Sequence, residues 1–397
     1  MEIKRKLDYL LLVSLLLVIL AIPFRPVWGS YTIVLLAVIG LANAVILKRI
    51  EKQPLFVYLL GVAYIVRVLW IFRAEDFPYA LGRLETEFPL LAFPLIFSTF
   101  DVTHKLKRLG VRIYCLVMMM TMTYGFFQLI LYFQNSPYTF LEYTQFHLDP
   151  EWFWENSRHF AQKMLTWEGA HYSFINIAIL YGLHLFFYIE NKSKVDKLLL
   201  IIYAVMTFLF LVYTGSRIGF FAFVAALIGY AVFSNKLIFE KKWMSLSFFF
   251  LGIFVFVACL SKWGAQIEPV RYHYWSRAVT AIEGKLLLGH GTGSGWIIMH
   301  EPEFEQKIGW AVNHPHNQYL SELMQFGLLG SMPLFLFFLA ATWHGLVVKD
   351  RELLSVIFTG MVFMITEAPL NSNKGIVPFV LLICLLANFS VEKARVK

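Results

Sequence analysis

The sequence predicts an all-α, polytopic integral membrane protein of about twelve transmembrane helices, with a large external loop between helices nine and ten. Three observations carry this expectation. The chain is 59% hydrophobic and only 15% charged, against about 25% charged residues in a soluble domain. Its apolar runs recur at lengths near those needed to cross a hydrocarbon core about 30 Å thick. Runs such as "LLVSLLLVIL" do not alternate apolar and polar residues, which excludes a transmembrane barrel, the other closed solution in lipid.

Taken in order, the apolar runs place helices at 8–23, 31–47, 55–72, 88–100, 111–133, 171–189, 197–213, 218–234, 243–260, 318–346, 352–367 and 375–390. The first follows the basic stretch "MEIKRK" but reads as a span rather than a cleaved leader. No small-x-small cleavage site follows it, and "PFRPVWGSY" leads straight into the second span. The fourth is short and interrupted by proline ("FPLLAFPLIF"), and the tenth is long enough to include a short lead-in helix. Cys115, Cys259 and Cys384 all fall inside apolar runs and read as small core residues, not as a disulfide framework.

Lysine and arginine orient these spans. One set of loops carries 21 of the 34 Lys and Arg, the opposite set carries 12, and Arg67 lies within a span. The basic set is expected on the cytoplasmic side, with both termini. The net charge of +8 is then mostly a topology signal facing anionic lipid, and the absence of a contiguous basic surface with aromatic platforms argues against nucleic acid. The chain reads as one membrane domain over 1–397, with two long external loops at 134–169 and 261–317. Both are rich in aromatics, and neither is of low complexity.

Ionisable residues at span ends are expensive and become functional candidates. In "YTGSRIGFF", Ser216 and Arg217 form a tight external turn between spans seven and eight. Arg217 reads either as an interfacial anchor that snorkels to headgroups or as a fixed guanidinium that grips phosphate oxygens at the mouth of a cavity. Arg271 and Arg277 flank Trp275 ahead of "GHGTGSG". That glycine run reads as a flexible turn over the membrane face, or as a donor of backbone N–H groups to phosphate. It matches neither a dinucleotide fingerprint nor a P-loop. Arg67 needs a buried partner, for which Glu367 late in span eleven is one choice. "RAEDFPYALGRLETE", with Arg73, Arg83, Glu85 and Glu87, reads as a solvated loop, and His171 as an interfacial residue.

The stretch "VNHPHNQYLSELMQFGLLG" enters span ten. Pro315 prevents His314 and His316 from sharing a helix. Asn317 is placed to cap the helix that starts at Gln318. No H-E-x-x-H and no cysteine pair accompanies the histidines, so no metal site and no cofactor are expected. A neutral imidazole is suited to general-base work, and a structural role at the interface is the alternative.

The serine–arginine turn, the R-x-x-x-W element before the glycines, and His316-Asn317 followed by nine residues, Gly327, two residues and Gly330 together resemble the O-antigen ligase family. That family lies within the wider ligase and polymerase superfamily of bacterial surface polysaccharides. The resemblance covers roughly the second half of the chain. It implies an inverting, metal-independent glycosyltransferase of lipopolysaccharide biosynthesis in the bacterial inner membrane, working at the periplasmic face. The donor would be an undecaprenyl-diphosphate-linked glycan and the acceptor the lipid A–core oligosaccharide. His316 would be the catalytic base. Arg217 and Arg271, with Arg277 as a rival for the second position, would bind the donor diphosphate. Ser216, Asn317, His314, Gly327 and Gly330 would support the site. Partners would be these substrates and membrane lipids, and the oligomeric state is open. A polymerase of the same superfamily is the nearest alternative, and a twelve-helix transporter or flippase a more distant one.

Overall fold

The computed structural model describes residues 2–48, 50–99, 104–134, 172–187, 193–214, 216–234, 247, 269–308 and 312–395, and every regular element among them is helical. The helices are α1 (Glu2–Ala21), α2 (Pro26–Leu47), α3 (Leu55–Trp70), α4 (Phe77–Glu87), α5 (Pro89–Phe97), α6 (His104–Gln134), α7 (Tyr172–Phe187), α8 (Lys194–Tyr213), α9 (Arg217–Ser234), α10 (Pro269–Gly284), α11 (Gly295–Met299), α12 (Pro302–Ile308), α13 (Gln318–Val348), α14 (Arg351–Met364) and α15 (Asn373–Arg395). Single 3-10 turns follow α3 and precede α15. Among the described residues, five segments are long and apolar enough to cross a membrane: Pro26–Leu47, Leu55–Arg73, Lys107–Gln134, Lys194–Tyr213 and Gln318–Val348. Apart from residues 134 and 247, the expected span at 243–260 and the loop at 134–169 lie outside the described residues, as do His171 and Cys259.

Lipid offers no hydrophobic drive for helix association, so close packing and interhelical hydrogen bonds must hold the bundle. An aromatic ladder joins α3, α13, α15 and α7. Phe56 meets Phe337 at 6.3 Å between ring centroids, Phe337 meets Phe379 at 6.0 Å, and Tyr181 meets Phe379 at 6.2 Å. Such pairs contribute roughly 0.5–1.5 kcal/mol each beyond their burial. The Tyr114 hydroxyl donates to the Ala178 carbonyl (2.8 Å), the Tyr203 hydroxyl donates to the Ile179 carbonyl (2.9 Å), and His184 is hydrogen-bonded to Thr359.

Two of the sequence expectations change here. The stretch 74–87 is not a solvated loop. It folds into α4, capped by Asp76, whose carboxylate accepts from the Tyr79 N–H (2.9 Å). Its face carrying Ala80, Leu84 and Glu87 is buried. The apolar α5 is only nine residues long, about 14 Å at 1.5 Å per residue. It is too short to cross alone. α4 and α5 together make the return path beside α3, with Phe88 against Tyr64 near one end and Gln53 Nε2 donating to the Phe97 carbonyl at the other.

Helix ends sort into two groups. Lys107 pairs with Glu352 where α6 meets the start of α14. At the other end, the ends of α1, α3 and α14 meet the starts of α13 and α15 through polar contacts described below. α7 runs antiparallel to α14, since Tyr181 lies beside Gly360 and His184 beside Thr359. The start of α7 therefore faces the second group. Asn176 donates to Thr214 (3.3 Å) at the end of α8, which brings the following residue pair, Ser216 and Arg217, to that same end.

Candidate active site

His316 sits in a left-handed turn (φ 49°), a conformation that costs a non-glycine residue about 1–2 kcal/mol. Backbone strain of this kind concentrates at functional sites. Here the turn is held by local contacts. The His316 N–H donates to His314 Nδ1 (3.1 Å), and the two rings meet edge to face at 4.5 Å. Asn317 is the cap of α13, its Oδ1 accepting from the Leu320 N–H at 3.0 Å. Such a cap contributes about 1 kcal/mol.

The turn places His316 Nδ1 3.2 Å from Glu367 Oε2. Glu367 follows α14, and its position is set by the first turn of α13. The Gln318 N–H donates to the Glu367 carbonyl (3.1 Å), Gln318 Oε1 accepts from the Leu370 N–H (2.9 Å), and Asn371 Nδ2 donates to Ser321 Oγ (3.0 Å). The second carboxylate oxygen, Oε1, pairs with Arg271 Nη2 at 2.7 Å. Glu367 is 1% exposed, Arg271 14% and His316 20%, so the carboxylate is sealed beneath a histidine and an arginine that both reach the surface. Glu367 thus does not pair with Arg67, as one sequence reading allowed.

Arg67 instead pairs with Glu87 of α4 (2.7 Å) and Glu322 of α13 (2.5 Å), and lies over the Phe326 ring. Arg83 joins by pairing with Glu87 (2.7 Å) and donating to the Asn371 carbonyl (2.5 Å). Gln318 Nε2 donates to Glu322 (2.9 Å), so this buried cluster and the Glu367 segment share one scaffold residue.

The two arginines of α10 diverge. They are six residues apart, about 120° around the helix. All three guanidinium nitrogens of Arg277 are spent: Nε on the Ile298 carbonyl (2.6 Å), Nη1 on Glu301 (2.9 Å) and Nη2 on the His300 carbonyl (3.1 Å). The hydrogen bond from His273, with Arg277 beside it, holds the Glu301 carboxyl below its ordinary value. By contrast, Arg271 Nη1 is buried without a partner, and so is Trp275 Nε1 one turn along the same face. A buried donor left unpaired costs about 1–3 kcal/mol. Both lack a partner among the described residues, one on the arginine that holds Glu367 and the other a turn further along α10.

The glycine run does not serve as a phosphate cradle. Its N–H groups are already bonded: His290 to the Met324 carbonyl (3.0 Å), Gly291 to the Gln325 carbonyl (2.8 Å) and Gly293 to Gln325 Oε1 (2.9 Å). A Cβ at Gly289 would lie 2.5 Å from the Gln325 carbonyl carbon, so glycine is what lets the loop seat on α13. Gly327 breaks α13 in a conformation open to glycine (φ 63°, ψ −170°). The break frees the Leu328 and Leu329 N–H groups to donate to the Leu286 (2.8 Å) and Leu287 (3.1 Å) carbonyls. A Cβ on Gly330 would come 3.0 Å from the Trp70 ring. The paired glycines therefore tie the end of α3 and the segment after α10 to α13. Ser216 caps α9 by accepting from the Gly219 N–H (3.0 Å), which makes Arg217 the first residue of that helix. The Arg217 side chain lies outside the described structure.

The reading of single motifs missed Glu367 as the histidine's partner. Its signal was a lone acid at the end of an apolar helix, in "FMITEAPLN". Residues 202–335 match the family model described as O-Antigen ligase, a segment that contains Ser216, Arg217, Arg271, Arg277, His314, His316, Asn317, Gly327 and Gly330 but not Glu367. A search of curated proteins finds no match.

Proposed function

With residues 202–335 supporting membership in the O-antigen ligase family, we propose that this protein transfers a glycan from undecaprenyl diphosphate to a hydroxyl of the lipid A–core oligosaccharide. The reaction takes place at the periplasmic face of a twelve-span protein of the bacterial inner membrane. The observation that carries the proposal is the chain His316–Glu367–Arg271, with a second, buried guanidinium nitrogen of Arg271 left unpaired among the described residues.

Each group has a role. With the Glu367 carboxylate accepting from Nδ1–H, the lone pair of His316 lies on Nε2. That nitrogen takes the proton of the acceptor hydroxyl as its oxygen bonds to the anomeric carbon. Attack opposite the diphosphate inverts that carbon, and the C1–O bond breaks towards phosphate. Negative charge gathers on the leaving diphosphate while positive charge gathers on the imidazole. Glu367 stabilises the imidazolium. Arg271 Nη1, Trp275 Nε1 and Arg217 hold the diphosphate, so guanidinium groups supply the charge that a metal ion would otherwise bring. Arg277 instead braces α10 through Glu301. His314 orients His316, while Asn317, Gly327 and Gly330 hold the helix beneath it.

The test is made in the native host. His316→Ala and Arg217→Ala are expected to abolish O-antigen-capped lipopolysaccharide on a gel, with protein levels unchanged. Full capping would overturn the assigned roles. A deletion separates ligase from polymerase: loss of a ligase leaves long lipid-linked polymer and an uncapped core, whereas loss of a polymerase leaves core capped by one repeat.

A further inference from the structure

The segment that follows α10, "KLLLG" at 285–289, turns three leucines outward in a row. Leu286, Leu287 and Leu288 are 46, 61 and 40% exposed. Their backbone is pinned, so they cannot rotate inward. Five successive carbonyls accept hydrogen bonds: Lys285 from the Gly289 N–H (2.8 Å), Leu286 and Leu287 from the Leu328 (2.8 Å) and Leu329 (3.1 Å) N–H groups, Leu288 from Trp70 Nε1 (2.7 Å), and Gly289 from Arg73 Nη2 (3.2 Å). A fixed apolar ridge on a segment between helices is costly in water and marks an interaction surface.

The ridge sits where two exposed apolar stripes end. On α13, Leu329, Met332, Leu336 and Leu339 form one stripe. On α3 and the turn after it, Ile65, Leu69 and Phe72 form the other, and Phe72 is 84% exposed. Both follow the three- and four-residue steps of a single helix face, and both segments are long and apolar enough to cross a membrane. Beyond the break at Gly327, the stretch from Leu328 to Val348 rises about 31 Å at 1.5 Å per residue, which matches a hydrocarbon core about 30 Å thick. The ridge is therefore bonded to the first residues of a membrane-crossing length. Glu283, Lys285 and Arg73 are exposed around it, and the Trp70 indole lies against it. Charged residues and tryptophan together mark the level where hydrocarbon meets headgroups.

We infer that the side chains of Leu286–Leu288, with Phe72, are immersed in the acyl chains of the leaflet at the His316 end of the bundle. The partner is the lipid surface itself, since the lipid-facing stripes of two spans pass without a break into the ridge. The segment expected as an external loop at 261–317 thus dips into the membrane at this point. Helix α10 ends at Gly284, directly before the ridge, so immersion holds that end of α10 at the membrane surface. Its other end carries Arg271, bonded to Glu367. The inference rests on the packing of α3 and α13 and does not depend on the proposed reaction.

The experiment uses the full chain, its three cysteines replaced by alanine, in nanodiscs of phosphatidylethanolamine and phosphatidylglycerol. One nitroxide label at a time is attached at Leu287→Cys, Phe72→Cys, Leu336→Cys or Glu303→Cys. Collision of the label with oxygen, which concentrates in lipid, is compared with collision with a water-soluble nickel chelate. Leu287 and Phe72 are expected to match Leu336 on the stripe of α13, with an oxygen-to-nickel ratio at least fivefold above that of Glu303 on the charged α12. If Leu287→Cys fails to fold, Phe72→Cys reads the same ridge. A ratio equal to that of Glu303 places the ridge in water and overturns the inference. Low collision with both reagents places it under protein and overturns it too, and dipolar broadening between labels would then identify a second copy of this chain as the cover.

Discussion

Glu367→Gln isolates the charge of the carboxylate while keeping its shape. In the wild type, one oxygen lies 3.2 Å from His316 Nδ1 and the other 2.7 Å from Arg271 Nη2. In the proposed mechanism the imidazole gains a proton in the transition state, so the first contact becomes a hydrogen bond between charged groups, which contributes about 1.5–3 kcal/mol. At about 1.4 kcal/mol per decade, its loss lowers kcat by roughly 10- to 100-fold. Donor binding should move the other way or not at all, because Arg271 loses a carboxylate that competes with the diphosphate for the same guanidinium. The assay is transfer from a lipid-linked glycan to purified lipid A–core in detergent, with initial rates across donor concentration. A fall in kcat without a rise in donor KM is the expected pattern. An unchanged kcat in a well-folded variant would refute the coupling of Glu367 to His316. A rise in donor KM with kcat intact would refute the assignment of Arg271 as competing between carboxylate and diphosphate.

Other substitutions test the scaffold. Arg67→Met leaves Glu87 and Glu322 buried and facing each other, and should cost about 3–5 kcal/mol. Chemical unfolding in detergent measures this, and adding Glu322→Gln should recover part of it; no recovery would mean that the two do not interact. Gly327→Ala forces a side chain into a left-handed position and against the Leu287 carbonyl, for about 2–4 kcal/mol, read as a drop in melting temperature; a stable variant would remove the case for the break in α13. Asn317→Ala should cost about 1 kcal/mol and Asn317→Asp much less, by the same measurement. Glu301 is held below its ordinary carboxyl value of 4.5, so its contribution to bracing α10 is present above about pH 4.5 and lost as pH falls through its lower folded value. Protection of the 269–284 amides, corrected for the intrinsic exchange rate at each pH, should therefore fall in acid, and Glu301→Gln should show that lower protection already at neutral pH.

Much of the architecture could be read along the chain, because its causes are local. Runs of apolar side chains dictate helices in lipid, Asn317 before an apolar run dictates a cap, and the length of the run after it leaves room for a short lead-in helix. Pairing between distant residues has no such local cause. Arg67 and Glu367 each needed a buried partner, and composition made them plausible for one another. The packing of α4 and α13 around α3 gives Arg67 to Glu87 and Glu322, while the docking of 367–371 on Gln318 and Ser321 gives Glu367 to His316 and Arg271. The same packing turns a charged stretch, 74–87, into a helix, since its carboxylate is stabilised by an arginine on another element. It also separates Arg271 from Arg277, which sequence spacing leaves equivalent, by turning one towards His316 and the other towards Glu301. Period and capping act over a few residues and are written in order. Charge neutralisation in a low-dielectric interior acts between neighbours in space, and which helices become neighbours is settled only when the bundle closes.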